Sequence, residues 1–195
     1  MITSTATRDD VRAGTLATLT LAFDQDPVIR WFFPDPGRYL AAFPVLAGLL
    51  GAAAFTAGTA VRAEGNRGAA LWVPPGSEAD DEAVLGLVVE SIDADRHGTT
   101  FEFLAQIEAH HPAQPHWYLP FVGVDPRYQG RGIGAELLRA GTARADSDGL
   151  GCYLEASSPR NRALYERHGF VVVGEVQAGD SAPLWPMWRA PGAAR

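Results

Sequence analysis

The segment that most constrains this chain runs from His116 to Ala135. An apolar run, His116-Trp117-Tyr118-Leu119-Pro120-Phe121-Val122-Gly123-Val124, meets Asp125-Pro126-Arg127-Tyr128-Gln129 and then Gly130-Arg131-Gly132-Ile133-Gly134-Ala135. The pattern predicts a strand over 116–124, a glycine-rich turn and a helix over 132–146. Backbone N–H groups gathered at a helix N-terminus bind anions, and the helix dipole adds to the attraction. Glycines at 130, 132 and 134 let a phosphate approach the main chain with no Cβ in the way. The turn reads as a cradle for a pyrophosphate-bearing cofactor, against the blander reading of three glycines used only for close packing.

Composition removes several kinds of phosphate chemistry. All 16 basic residues are arginine, so a P-loop lysine, a Schiff-base lysine and a lysine nucleophile are excluded. A net charge of −7 opposes nucleic acid as a partner, since a phosphate backbone is bound through clustered basic residues. The single cysteine, Cys152, allows neither an intrachain disulfide nor a cysteine-based zinc cluster, and reads as a small buried residue. His110, His111 and His116 have no acidic or cysteine ligand at matching spacing, so no metal is expected.

The first residues lack the basic and apolar regions of a signal peptide, and a cytoplasmic location is the default. Leu40 to Val61 is uncharged and long enough to cross a bilayer, yet Pro44, Gly48, Gly51 and Gly58 interrupt it. It reads as a buried helix followed by a strand, and no membrane partner is expected. The length suits one domain over 1–190, with a flexible tail over 191–195.

Ile2 to Ala6 reads as a short edge strand and Thr7 as the N-cap of a helix ending before Pro27. Trp31 to Phe33 reads as a loop or helical turn and Arg38 to Leu50 as a helix. Phe55–Glu64 and Ala69–Val73 read as strands, then Asp80–Asp93 and Phe101–Ala109 as helices. After the central unit come a strand over Tyr153–Ala156 and a short helix, Asn161–His168, closed by Gly169. Phe170–Val176 and Leu184–Arg189 read as the last strands. This order fits an α+β or α/β sheet covered on both faces.

A dinucleotide cofactor is one candidate, because Gly130, Gly132 and Ala135 loosely fit the Rossmann fingerprint and Glu155 follows about 20 residues on. Against it, five residues separate the strand from the glycines, and only about 60 residues remain for the rest of a doubly wound sheet. Gln129-x-x-Gly132-x-Gly134 after Val122-Gly123-Val124-Asp125-Pro126 instead resembles the acetyl-CoA signature of the GNAT acetyltransferase superfamily. Two blocks strengthen the likeness: Tyr153 to Asn161 (YLEASSPRN) and Leu164 to Phe170 (LYERHGF). Within the superfamily these blocks and the opening Ala6 to Val11 are most similar to puromycin N-acetyltransferases and their relatives. The likeness is dense from Pro115 to Phe170 and thin between about Ala22 and Ala109.

The resemblance implies a three-layer α+β fold with a mixed, mostly antiparallel sheet and a splay between its two central strands. It implies acetyl-CoA as co-substrate, a small-molecule amine as acceptor and no metal. Backbone groups of Val122, Gly123 and Val124 would meet the pantetheine arm. The pyrophosphate would lie on the N–H groups of Gln129, Gly130, Arg131, Gly132, Ile133, Gly134 and Ala135. Asn161 would bond the pantetheine, and Tyr165 would point its hydroxyl at the sulfur.

Acyl transfer to an amine requires proton loss from the ammonium, stabilisation of an oxyanion and protonation of a thiolate. Tyr165 suits the last role and a backbone N–H near Val122 to Val124 the second. Glu155 is the first candidate base, equally readable as a structural carboxylate; His116 and ordered water remain alternatives. Candidates for the acceptor pocket are Asp24, Asp26, Trp31, Phe32, Phe33 and Trp72, each also readable as ordinary core. A non-catalytic acyl-CoA sensor of the same fold is the competing function, and a homodimer is the oligomer left open.

Acetyl-CoA is expected to raise the melting temperature of the purified chain and NAD(P) to leave it unchanged. Calorimetry showing micromolar NAD binding without CoA binding would end the acetyltransferase reading.

Overall fold

The computed structural model describes residues 8–77 and 79–193. Four helices open the chain: α1 (Arg8–Phe23), α2 (Pro27–Phe32), α3 (Pro36–Leu50) and α4 (Ala52–Ala57). Strands β1 (Ala60–Arg62) and β2 (Gly68–Val73) follow, then α5 (Asp81–Ser91) and α6 (His97–His110). The second half holds β3 (His116–Val124), α7 (Ile133–Ser147), β4 (Gly151–Ala156), α8 (Pro159–Glu166), β5 (Val171–Val172) and β6 (Trp185–Arg189). The six strands form one mixed sheet in the order β1-β2-β3-β4-β6-β5. Only β3 and β4 run parallel; the other pairs are antiparallel.

Helices α1, α3 and α4 pack on one face of the sheet and α7 and α8 on the other, so strand β2 is buried at every position. Its side chains alternate between two cores, Ala69, Leu71 and Val73 in the first and Ala70 and Trp72 in the second. A strand buried on both faces reads as one apolar run, as this one does.

Strand β3 breaks the alternation. Trp117 and Leu119 belong to the second core, whereas Phe121 belongs to the first. The register gives the reason: Val73 faces Tyr118 and Leu71 faces Phe121, so β3 holds one extra residue between these pairs. Such a bulge turns every later side chain to the opposite face. Pro120 lies in the bulge, where its missing N–H takes least from the ladder. The parallel pairing of β3 with β4 also stops there. It covers only His116↔Gly151, Trp117↔Cys152 and Tyr118↔Tyr153, while β4 stays paired with β6 as far as Ala156↔Trp185. The sheet is thus splayed between its two central strands.

Two expectations need correction. The strand expected over Phe55–Glu64 is mostly helix: Ala52–Ala57 forms α4, and only Ala60–Arg62 pairs with β2. Alanine-rich sequence favours helix, and Gly58, at φ 69°, caps it in the left-handed conformation. The strand expected over Phe170–Val176 shrinks to two residues and an isolated Val176↔Leu184 bridge. Pro186 of β6 accepts from Val173 N–H but has no N–H to return. Trp31 and Phe32 lie in α2, which Asp26 caps through Val28 N and Ile29 N with Pro27 in its first turn. The strand expected over Ile2–Ala6 and the cap Thr7 lie outside the described residues.

Candidate active site

The splay holds a cleft of about 580 Å³. Val122, Gly123 and Val124 form one wall, and α1 closes in at Gly123, where an added Cβ would meet Ala22 Cβ at 2.5 Å. The floor is the turn into α7. Gln129, Gly130, Gly132, Ile133, Gly134 and Ala135 all line the cleft, and Gly130 and Gly132 have φ of 74° and 83°. Those positive φ angles, and no lack of space, require glycine at both places. Arg131 is the exception among the expected residues. It does not line the cleft, and its guanidinium turns back to the Arg127 carbonyl and over the Tyr128 ring. Asp125 shapes this turn by accepting from Arg127 N and binding the Arg127 guanidinium through both oxygens; that hydrogen bonding holds its carboxyl below the usual range.

The opposite wall is α8, whose N-cap Ser158 accepts from Asn161 N at 3.2 Å. Asn161 and Tyr165 stand four residues apart, one turn of helix, and both line the cleft. Both also line a second cavity of about 200 Å³ on the α1–α6 side, as do Phe23, Asp26 and Val122. The two cavities therefore meet at Tyr165 and Asp26. Burial, and then the charges of Asp26 and Glu155, hold the Tyr165 phenol above its ordinary pKa, so it stays protonated.

Glu155 lines the second cavity only. It lies beyond the last β3–β4 pair, and its Oε2 accepts from the Tyr118 hydroxyl at 3.0 Å across the splay. Oε1 is buried without a hydrogen-bond partner. Burial pushes this carboxyl up to about 7, against the hydrogen bond from Tyr118. A carboxylate with that affinity for a proton suits a base at neutral pH.

Asp26 is buried, with Oδ1 taken by the α2 cap and Oδ2 by the Ser157 hydroxyl. Desolvation raises its pKa.

His116 lines neither cavity; its Nδ1 sits 2.8 Å from the Gln114 carbonyl, and its ring packs on His111. Cys152 is buried in the second core, its thiol pushed up to about 12 by desolvation. No group of three or more His, Cys, Asp or Glu among the described residues is placed to hold a metal ion.

The acetyltransferase (GNAT) family model matches residues 62–170, more than half of the chain and the whole of the splay from β2 through α8. The chain belongs to the GNAT family. It is 31% identical over 139 residues to an uncharacterized N-acetyltransferase, C550.08, of Schizosaccharomyces pombe, a match that takes in 64% of this chain and 56% of that protein. The chain thus spans little more than half the length of that curated relative. The crystal structure of histone acetyltransferase HPA2 and related acetyltransferase from Corynebacterium glutamicum is 28% identical with a TM-score of 0.66, covering 100% of this chain and 97% of that one. Arylalkylamine N-acetyltransferase 2 from Aedes aegypti shares the fold at 12% identity and a TM-score of 0.68, over 98% of this chain and 99% of that one.

In this GNAT chain the expected acceptor residues divide. Asp26, Phe32 and Phe33 line the second cavity, whereas Asp24, Trp31 and Trp72 do not. Trp31 donates to Asp180, and Trp72 is buried in the opposite core, donating to the Leu137 carbonyl. Sequence reasoning missed Tyr118 and Ser157, which hold the two carboxylates, and Arg160 and Arg167 on the cleft wall. Arg160 stands next to Asn161 and Arg167 two residues after Tyr165 in the quoted blocks, and that nearness was the available signal.

Gly134→Val is the cleanest test of the cradle. A Cβ at Gly134 makes only ordinary contact, 3.5 Å from Leu164 Cδ2, so the variant is expected to melt near the wild type yet lose CoA affinity. A folded variant with unchanged affinity in calorimetry would misplace the cradle.

Proposed function

We propose that the chain transfers the acetyl group of acetyl-CoA to a primary amine of a small molecule, directly, within a ternary complex. The observation that carries this reading is the meeting of two cavities at Tyr165, one floored by a glycine turn and one holding a buried carboxylate. The cleft fits the co-substrate, whose thioester supplies the acyl group. Positive-φ glycines bare main-chain N–H groups to phosphate, Arg160 and Arg167 offer cations beside them, and Val122 to Val124 lie on the stretch of β3 that β4 leaves unpaired.

Each proton then has a residue to move it. Glu155, which lines the second cavity and leaves Oε1 unpartnered, takes the proton from the ammonium. Tyr165 keeps its proton at neutral pH and delivers it to the departing thiolate. A backbone N–H near Val122 to Val124 stabilises the negative oxygen. The motif likeness to puromycin N-acetyltransferases supports an amine acceptor without implying puromycin itself. The name of the Aedes aegypti neighbour, an arylalkylamine N-acetyltransferase, agrees with an amine acceptor. A non-catalytic acyl-CoA sensor would fill the acceptor side with the α2 aromatics. Instead Phe32 and Phe33 line an open cavity and Trp31 turns away to Asp180, which favours the enzyme.

Tyr165→Phe is expected to bind acetyl-CoA as the wild type does and to lose roughly 10²–10⁴-fold in kcat. Removing only the hydroxyl preserves the ring against Phe170, so a lost rate with retained affinity isolates proton delivery. Wild-type kcat on the best amine of a thiol-release screen would refute the role of Tyr165.

A further inference from the structure

We infer that the second cavity is the acceptor chamber and that it admits a primary amine carried on an uncharged, apolar body. This rests on the acetyl-transfer reading above and adds the chemical class of the acceptor. Much of the chamber wall comes from helices that carry no quoted motif. Leu50 of α3, Val84 and Val88 of α5, and Phe103 and Leu104 of α6 form its wall with Phe32 of α2. Among the described residues that line it there is no arginine, and the only carboxylates are Asp26 and Glu155.

Those two carboxylates decide which amines fit. Asp26 and Tyr165 line both cavities, and Glu155 lines the second, its charge reaching Tyr165. Asp26 has both oxygens engaged, by the α2 cap and by Ser157, whereas Glu155 retains one free oxygen. One ammonium is therefore received at the Glu155 end. A second ammonium on a polyamine would extend among Val84, Val88, Phe103 and Leu104 without a counter-charge, and burying an unpaired charge is costly. The carboxylate of a free amino acid would meet no arginine and would sit near Asp26 and Glu155. The volume of about 200 Å³ lies below the roughly 300–1,000 Å³ of sites for drug-sized ligands, which suits a single ring or a short branched chain.

The test is a comparison of kcat/KM at saturating acetyl-CoA for phenylethylamine, phenylalanine, putrescine and spermidine. Phenylethylamine is expected to exceed each of the others by roughly 100-fold or more, the scale set by an unpaired buried charge. Leu104 is only partly buried, and Leu104→Glu is expected to lower the phenylethylamine value at least tenfold (about 1.4 kcal/mol) while raising that of putrescine. Val84→Asp, on the neighbouring helix, makes the same change should the first variant fail to fold. Spermidine or phenylalanine as the best acceptor, with both wall variants silent, would overturn the inference. So would wall variants that instead abolish a preference for octanoyl-CoA over acetyl-CoA, since the chamber would then belong to the acyl chain. Acetyl-CoA that binds while no apolar amine is acetylated sinks the inference alone; acetyl-CoA that fails to bind sinks the acetyl-transfer reading with it.

Discussion

One extra residue in β3 sets the geometry of this molecule. Antiparallel pairing with β2 and parallel pairing with β4 cannot both continue past Tyr118, because the bulge at Leu119 and Pro120 turns the strand over. From there β3 keeps β2 and leaves β4, while β4 keeps β6. The separation bares main chain at Val122 to Val124 and opens a space that α8 and the α7 turn wall on one side and α2, α5 and α6 on the other. A sheet of this size paired throughout would bury that space as core. The bulge converts packed interior into two cavities that share Tyr165, Asp26 and Asn161.

The electrostatics of the junction follow from the same opening. Glu155 is carried past the last β3–β4 pair, where its Oε2 accepts from Tyr118 and Oε1 is left unmatched. An unmatched buried carboxylate favours its protonated form. By linkage, Glu155 contributes stability that is fully present below the ordinary carboxylate range and is lost as pH rises through about 7. The fold tolerates this cost at the site proposed to accept a proton. Asp26, fully engaged by the α2 cap and Ser157, keeps the second carboxylate fixed and tilts the local field against ionising Tyr165.

Much of this was legible in the sequence because local spacing encoded it. The bounds of β3, the glycine turn and the pair Asn161 and Tyr165 rest on an unbroken apolar run, on glycine and on one helical turn. The bulge was not legible, since the apolar run passes straight through Leu119 and Pro120 and only the register against β2 reveals the slip. Phe55 to Glu64 misled for the opposite reason: Phe55, Thr56 and Val61 favour a strand, but the preceding alanines and the Gly58 cap settled a helix. The second cavity was the least legible feature. Its wall joins Leu50, Val84, Phe103 and Tyr118, residues far apart in the chain that share no motif. Trp72 was a natural candidate as a large aromatic, yet strand parity sends it to the opposite core.

The proposed role of Glu155, taking the ammonium proton at the junction, is tested most directly by a pH–rate profile. For the wild type, kcat/KM should rise through an apparent pKa near 7, distinct from the limb due to the amine itself. Glu155→Gln should abolish the lower limb and reduce the plateau, with acetyl-CoA affinity retained. A Glu155→Gln profile that keeps a limb near 7 at a wild-type rate would contradict the account and assign the proton to another group.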